Sequence, residues 1–351
     1  MLDIESITSQ VKHNCNISDA RHWGLYSPCG LLLRLRDLYK IEHGLKPWSS
    51  VNHGKIGQWI DRREKLWDGL SETDYEKVEL GGRLFRPFDV KGINNVLNKD
   101  GYFYGAGYGY LMKPLFLLAE LDEKKTIGSH KILYARRELA RELSTSPAMI
   151  QGNTIIARHE TMGYFLWDRF EEMKTKPDSS ALCRAFSEYG LTKEADSSAS
   201  ETFQEIVRDE MTTYIHHEVG EASQRRNLGR WWKELIQELP YSRAEMFLRA
   251  LKDIMADTCD SGMLPYIIKN RIRGSLFFYI AFLKGFRKNM VKEIITAYDE
   301  FTASGDWGVI EKARRQSYSS AREHVRVLKG LYDSGDVTHE QIEEAFLKEC
   351  N

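Results

Sequence analysis

Four capping-box patterns constrain this chain more than any other feature. Ser198/Glu201, Ser242/Glu245, Ser320/Glu323 and Thr338/Gln341 each set a hydroxyl three residues ahead of an acid or amide, and each precedes apolar residues at three- and four-residue spacing. Such a pair satisfies two of the backbone donors that a helix start leaves open, so the C-terminal half is expected to be helical throughout. The same periodicity predicts helices over 114–121, 129–143 and 153–173, after one within 19–43 that stops at Gly44 and another over 55–70 carrying Trp59 and Trp67. Only residues 77–110 change texture. There KVELGGRLFRPF reads as a short hairpin around Gly81-Gly82. GYFYGAGYGYLMKP, beginning at Gly101, is glycine-rich but lacks the GK[ST] ending of a phosphate loop and is expected to form an aromatic turn or pocket wall.

The expected fold class is therefore mainly α: a multi-helix bundle or irregular helical array with a small hairpin/loop insertion near 77–110. The polar stretch 174–200 separates an expected N-terminal region, 1–175, from a C-terminal one, 198–351, or joins them within one continuous domain.

Fifty basic residues against fifty-one acidic ones leave a net charge of −1, so no chain-wide field favours nucleic acid or an anionic membrane. Most of the basic runs at 226–237, 267–274, 285–288 and 312–316 are explained by cations near helix ends, and nucleic acid is not the expected partner. The five cysteines are scattered and form no C-x-x-C pair, which points to free thiols in a reducing cytoplasm. No signal peptide is expected from MLDIESITSQ. SLFFYIAFLKGF, 275–286, is too short to span a bilayer and reads as a buried core helix.

Candidate chemistry centres on ETFQEIVRDEMTTYIHHEVGE, 201–221. At about 100° per residue, Glu210, His217 and Glu221 fall within roughly 40° of one another, on the stripe that also holds Phe203, Val207 and Tyr214. A second predicted helix repeats the habit, with Glu160 between Ile156, Gly163, Trp167 and Phe170, and His159 at the border of that face. Carboxylates on an apolar face need a cation, a metal or a proton. His159, Glu160, Glu210, His217 and Glu221 are together a ligand set for a divalent metal, and imidazole with carboxylate suits iron, manganese or zinc. H-E-x-x-H is missed at both histidines, by Glu221 and by Gly163, and no Glu-x-x-His is present.

A second candidate lies near the N-terminus, where Asp19 and His22 read as an acid/base pair in a polar turn ahead of a helix. Arg34 and Glu42 fall in that helix's apolar arc, whereas Arg36, Asp37 and Lys40 point the other way. A buried Arg34 must meet a carboxylate, carbonyls or an anionic ligand. The expected function is a helical metalloenzyme that oxidises or hydrolyses a small-molecule substrate; the alternative is a non-enzymatic helical interaction protein with buried ion pairs at these positions.

Overall fold

A computed structural model describes residues 2–144, 146–195, 200–240, 242–335 and 337–347. It separates into two compact units, one of Met1–Arg169 with Asp196–Ser200 and one of Phe170–Ala195 with Glu201–Asn351. Among the described residues no helix is long and apolar enough to cross a membrane.

The first unit is not helical throughout, and it makes the chain α+β rather than mainly α. Three helices come first: α1 (Ile4–His22), α2 (Pro28–Glu42) and α3 (His53–Asp68). Ser27 caps α2 by accepting from Gly30 N–H, with Pro28 in the first turn. A hairpin follows, β1 (Val78–Leu80) and β2 (Arg83–Phe85), whose two-residue loop Gly81-Gly82 has positive φ at both positions. After α4 (Val90–Leu97) come β3 (Tyr102–Tyr108), β4 (Pro114–Ile127), β5 (His130–Arg141), β6 (Ala148–Gln151) and β7 (Thr154–Arg158).

These five strands form one mixed sheet in the order β3-β4-β5-β7-β6, antiparallel except for the parallel pair β5–β7. The sheet curls until its edges approach, for Gln151 on β6 donates its amide to the carbonyl of Ala106 on β3. Ile7, Val11 and Cys15 of α1 cover one face, against Tyr104, Phe116, Leu118 and Ala140. The other face gathers Phe103, Leu117, Ala119, Leu133, Ala135 and Ile156.

The helices expected over 114–121 and 129–143 are thus strands, and the one expected from 153 begins only at His159, as α5 (His159–Met173). PLFLLA, 114–119, is a continuous apolar run that fits either structure, and ILYARRELA carries both periods. The hydrogen bonds that decide the matter come from partner strands and are invisible in local periodicity.

The expected polar turn at 19–22 is likewise corrected, since Asp19 and His22 belong to the last turns of α1. The polar residues before them are buried against distant partners. Asn14 exchanges two bonds with the backbone of Glu76, and Asn16 accepts from Arg63 and Trp67. On α2 the expected facing also changes, because Asp37 and Lys40 are buried. Asp37 pairs with Arg36, which also reaches Asp168, while Lys40 donates to the carbonyl of Pro47.

Among its described residues the second unit is helical: α6 (Ala181–Ser187), α7 (Ser200–Glu238), α8 (Arg243–Thr258), α9 (Met263–Asn270), α10 (Arg273–Phe282), α11 (Gly285–Met290), α12 (Lys292–Ser304), α13 (Trp307–Asp333) and α14 (His339–Ile342). Ser242 caps α8 and Thr338 heads α14 with both bonds of its capping box. Ser320 and Glu323, by contrast, lie in the middle of α13, whose real cap is Asp306; Ser198 lies outside the described residues. Leu276, Phe277 and Phe278 bury α10 in the core beside Phe186 and Phe301.

Candidate functional site

The densest group of ionisable side chains in the second unit forms where α7 meets α8. The approach is close enough that a Cβ on Gly220 would lie 2.2 Å from the carbonyl oxygen of Ala256. Gly220 sits between His217 and Glu221, and Ala256 between Asp253 and Asp257. Each pair is spaced i, i+4 and therefore shares one helix face. Lacking a side chain, Gly220 brings two such faces into register.

His217 Nδ1 lies 2.6 Å from Asp257 Oδ1, and Asp257 Oδ2 accepts from Arg287 of α11 at 2.6 Å. The other imidazole nitrogen, Nε2, is 3.8 Å from Glu221 Oε1. His217, Glu221 and Asp253 each offer a ligand atom within 4.8 Å of the other two. Lys252 Nζ stands 2.6 Å from Glu221 Oε1.

Asp257 is fully buried, whereas the side chains of His217 and Glu221 keep 16% and 17% of their surface. Burial opposes a charged imidazole, but Asp257 outweighs it and holds His217 well above its ordinary range. Burial also works against the Asp257 carboxylate, which Arg287 and His217 nonetheless keep ionised. Glu218 is pushed up to about 7 by burial and by Glu221. Four carboxylates, those of Glu218, Glu221, Asp253 and Asp257, thus meet Lys252, Arg287 and His217 at close range.

Of the five sequence-selected ligands, this cluster unites His217 and Glu221. Glu210 lies on the same helix two turns, about 10 Å, before His217. Its buried carboxylate accepts from Ser275 Oγ and from Thr213 Oγ1 (3.4 Å). Burial raises it to about 7 despite these bonds. A carboxyl held protonated above its free-solution pKa costs stability as pH rises from about 4.5 to 7, and the cost is complete above 7. Glu210→Gln is therefore expected to match wild type near pH 4 and to exceed it at pH 8 by on the order of 2–3 kcal/mol, read by urea unfolding at the two pH values.

His159 and Glu160 belong to the first unit. Glu160 Oε2 accepts from Glu138 N–H at 2.6 Å, and burial together with the charge of Glu138 raises its carboxyl to about 7. His159 stacks obliquely with Tyr134 at 5.6 Å between ring centres.

The N-terminal candidates are also in the first unit. Asp19 accepts from Lys113 Nζ at 2.6 Å and from Leu143 N–H at 3.1 Å, whereas His22 Nδ1 faces the carbonyl of Ser18 at 2.8 Å. Their polar atoms thus engage different partners rather than each other. Burial lowers the His22 pKa. Arg34 donates to the carbonyl of Leu143 and lies 4.6 Å over the Tyr26 ring, lining a cleft of about 190 Å³ with Lys113 and Ser144. A groove of about 670 Å³, lined by Lys12, His13, Glu42, Arg137, Glu138 and other residues, also belongs to this unit and contains none of the α7–α8 groups.

Sequence reasoning missed Asp253, Asp257, Lys252 and Arg287. A signal was present in RAEMFLRALKDIMADT, where Asp253 and Asp257 flank the buried Ile254 as Glu210 and His217 flank Met211 and Ile215. What the sequence could not supply was the pairing of that face with α7.

A model described as the N-terminal domain of a family of unknown function, DUF6866, matches residues 6–158, and one described as its C-terminal domain matches residues 163–349. No curated protein and no solved structure matches the chain.

Proposed function

The chain belongs to the DUF6866 family, and from the α7–α8 cluster we propose that it is a metal-dependent enzyme acting on a small molecule, with a divalent ion held by His217, Glu221 and Asp253. The observation that carries the proposal is the orientation of one imidazole. Asp257 accepts from His217 Nδ1 and so presents Nε2 toward the carboxylate of Glu221, and Asp253 offers a third ligand atom to the same group. A carboxylate behind a histidine is the arrangement that fixes the tautomer and ring plane of a metal ligand.

One imidazole with two carboxylates suits iron, manganese or zinc. Such an ion, when bound with an open position, supplies Lewis acidity and a water activated near neutral pH. The chain's own residues orient the site: Arg287 holds Asp257, Asp257 holds His217, and Lys252 neutralises Glu221 until a metal replaces it. The reading includes a reducing, cytoplasmic setting in which Cys15, Cys29, Cys183 and Cys259 stay thiols.

The contacts of Lys252 with Glu221 and of Arg287 with Asp257 also favour a second reading, an ion-pair network in a non-enzymatic interaction protein. Metal analysis of protein made without a histidine tag, followed by titration with manganese, ferrous iron and zinc, separates the two. A single equivalent is expected, lost in Asp253→Asn and held more tightly in Lys252→Met, where the competing ammonium is gone. If none of the three ions binds, or if Asp253→Asn binds as wild type does, the ion-pair reading stands.

A further inference from the structure

The curled sheet of the first unit borders a small, partly open cavity of about 90 Å³ near the meeting of its edges. Gly105, Gly107, Leu115, Leu117 and Met149 line it, and Glu142, just beyond the end of β5, completes it. The room lies over Gly107, where an added Cβ would meet nothing within 4 Å, whereas over Gly105, on the same inner face that Phe103 begins, Ile156 Cδ1 would stand 3.0 Å from it.

Glu142 is only 1% exposed, and its two oxygens differ. Oε2 accepts from Ser144 N–H at 2.5 Å and lies 4.0 Å from Lys113 Nζ. Oε1 is buried with no hydrogen-bond donor among the described residues. A buried carboxyl oxygen is costly unless a donor meets it. Lys113 does not serve, because it is committed to Asp19 at 2.6 Å and to the Tyr26 hydroxyl at 3.1 Å. One ammonium thus stands between two carboxylates and bonds Asp19, so Glu142 Oε1 keeps an acceptor site that no donor among the described residues fills. The nearby Arg141 guanidinium is turned to Thr161, to Glu138 Oε2 at 3.4 Å and to the carbonyls of Glu142 and Ser144.

We infer that this cavity is a binding site for a short alkylammonium ion, a primary amine whose cationic head bonds Glu142 Oε1 and whose apolar tail lies against Leu115, Leu117 and Met149. At about 30 Å³ for a water's share of liquid volume, the space takes roughly three to four heavy atoms, the size of a propylammonium ion. A positive head gains a charge-assisted bond that a neutral donor does not.

The test is methyl NMR of the full chain, following the Met149 methyl during titration with n-propylammonium and, separately, with propan-1-ol. Saturable shifts are expected with the amine, with binding at least about tenfold weaker for the alcohol and about tenfold weaker for the amine in Glu142→Gln. Gly107→Leu, at a position where an added Cβ meets nothing within 4 Å, is expected to fill the cavity and abolish binding without unfolding the unit. It decides the question if Glu142→Gln does not fold. Absence of a saturable Met149 shift overturns the inference, as does equal binding of the alcohol, or binding of the amine that survives whichever of the two variants folds.

Discussion

Gly220→Ala is expected to destabilise the second unit by on the order of 3 kcal/mol and to abolish the metal uptake proposed for the α7–α8 cluster. Two effects oppose each other. Alanine is a better helix former than glycine by about 1 kcal/mol, so an uncrowded helix would gain stability from the change. Here the new Cβ would stand 2.2 Å from the carbonyl oxygen of Ala256 and 2.9 Å from its carbonyl carbon, and both belong to a backbone that cannot rotate away. The start of α9 presses on the same carbonyl, since a Cβ on Gly262 would come within 2.0 Å of it. The crowding therefore dominates, and α7 must move outward or tilt. Either movement separates His217 from Asp257 and Glu221 from Asp253. Thermal unfolding together with manganese titration checks both parts. A variant more stable than wild type by the propensity term alone would mean that the two helices do not meet so closely.

That glycine illustrates what the sequence disclosed and what it withheld. HHEVGE announced its unusual chemistry plainly, because the cost of burying carboxylate and imidazole is a local property of a helix face. The identity of the partners was not local. Asp253, Asp257 and Arg287 come from other helices, and the residue that lets α8 in is the glycine, which reads in sequence only as a weak spot in a helix. The same distinction explains the fold. Ser242 and Thr338 could be read as caps because a cap is satisfied within four residues. Ser320 carries the same signature, yet α13 runs straight through it, because a helix already propagating from Asp306 has no open donors there to cap. The sheet was lost for the corresponding reason. β4 and β5 hold apolar runs that satisfy either period, and α1 hides Asn14, Asn16 and Asp19 inside a helix whose polar partners lie far along the chain.

The parallel pairing of β5 with β7 is held by the first unit's most buried charge, and removing that charge gives the second large effect. Arg158, at the end of β7, is 0% exposed. Its Nη2 and Nε reach Glu138 on β5 at 2.5 and 3.2 Å, and Thr161 Oγ1 donates to the same carboxylate at 2.6 Å. Burial alone would raise the Glu138 carboxyl, but Arg158 and Arg141 outweigh it and pull it down to about 2. A carboxyl depressed in the folded state stabilises the fold above its free value of about 4.5, and that contribution disappears as pH falls from there through about 2. Arg158→Met leaves Glu138 buried with one guanidinium instead of two. A loss of about 3–5 kcal/mol at pH 7 is expected, the usual cost of breaking a buried pair from one side. The variant starts from a lower stability at pH 7, so acid unfolding of the first unit should begin at a higher pH than in wild type, measured by circular dichroism between pH 6 and 2. The share of the fall that Glu138 itself contributes shrinks, because its carboxyl is less depressed. Glu138→Gln on the Arg158→Met background should recover part of the loss at pH 7, because a neutral amide at 138 no longer needs the second cation and still accepts from Thr161. Recovery would assign the loss to the stranded charge. Its absence, with acid unfolding unchanged, would assign the loss to the packing of the Arg158 stem against the sheet.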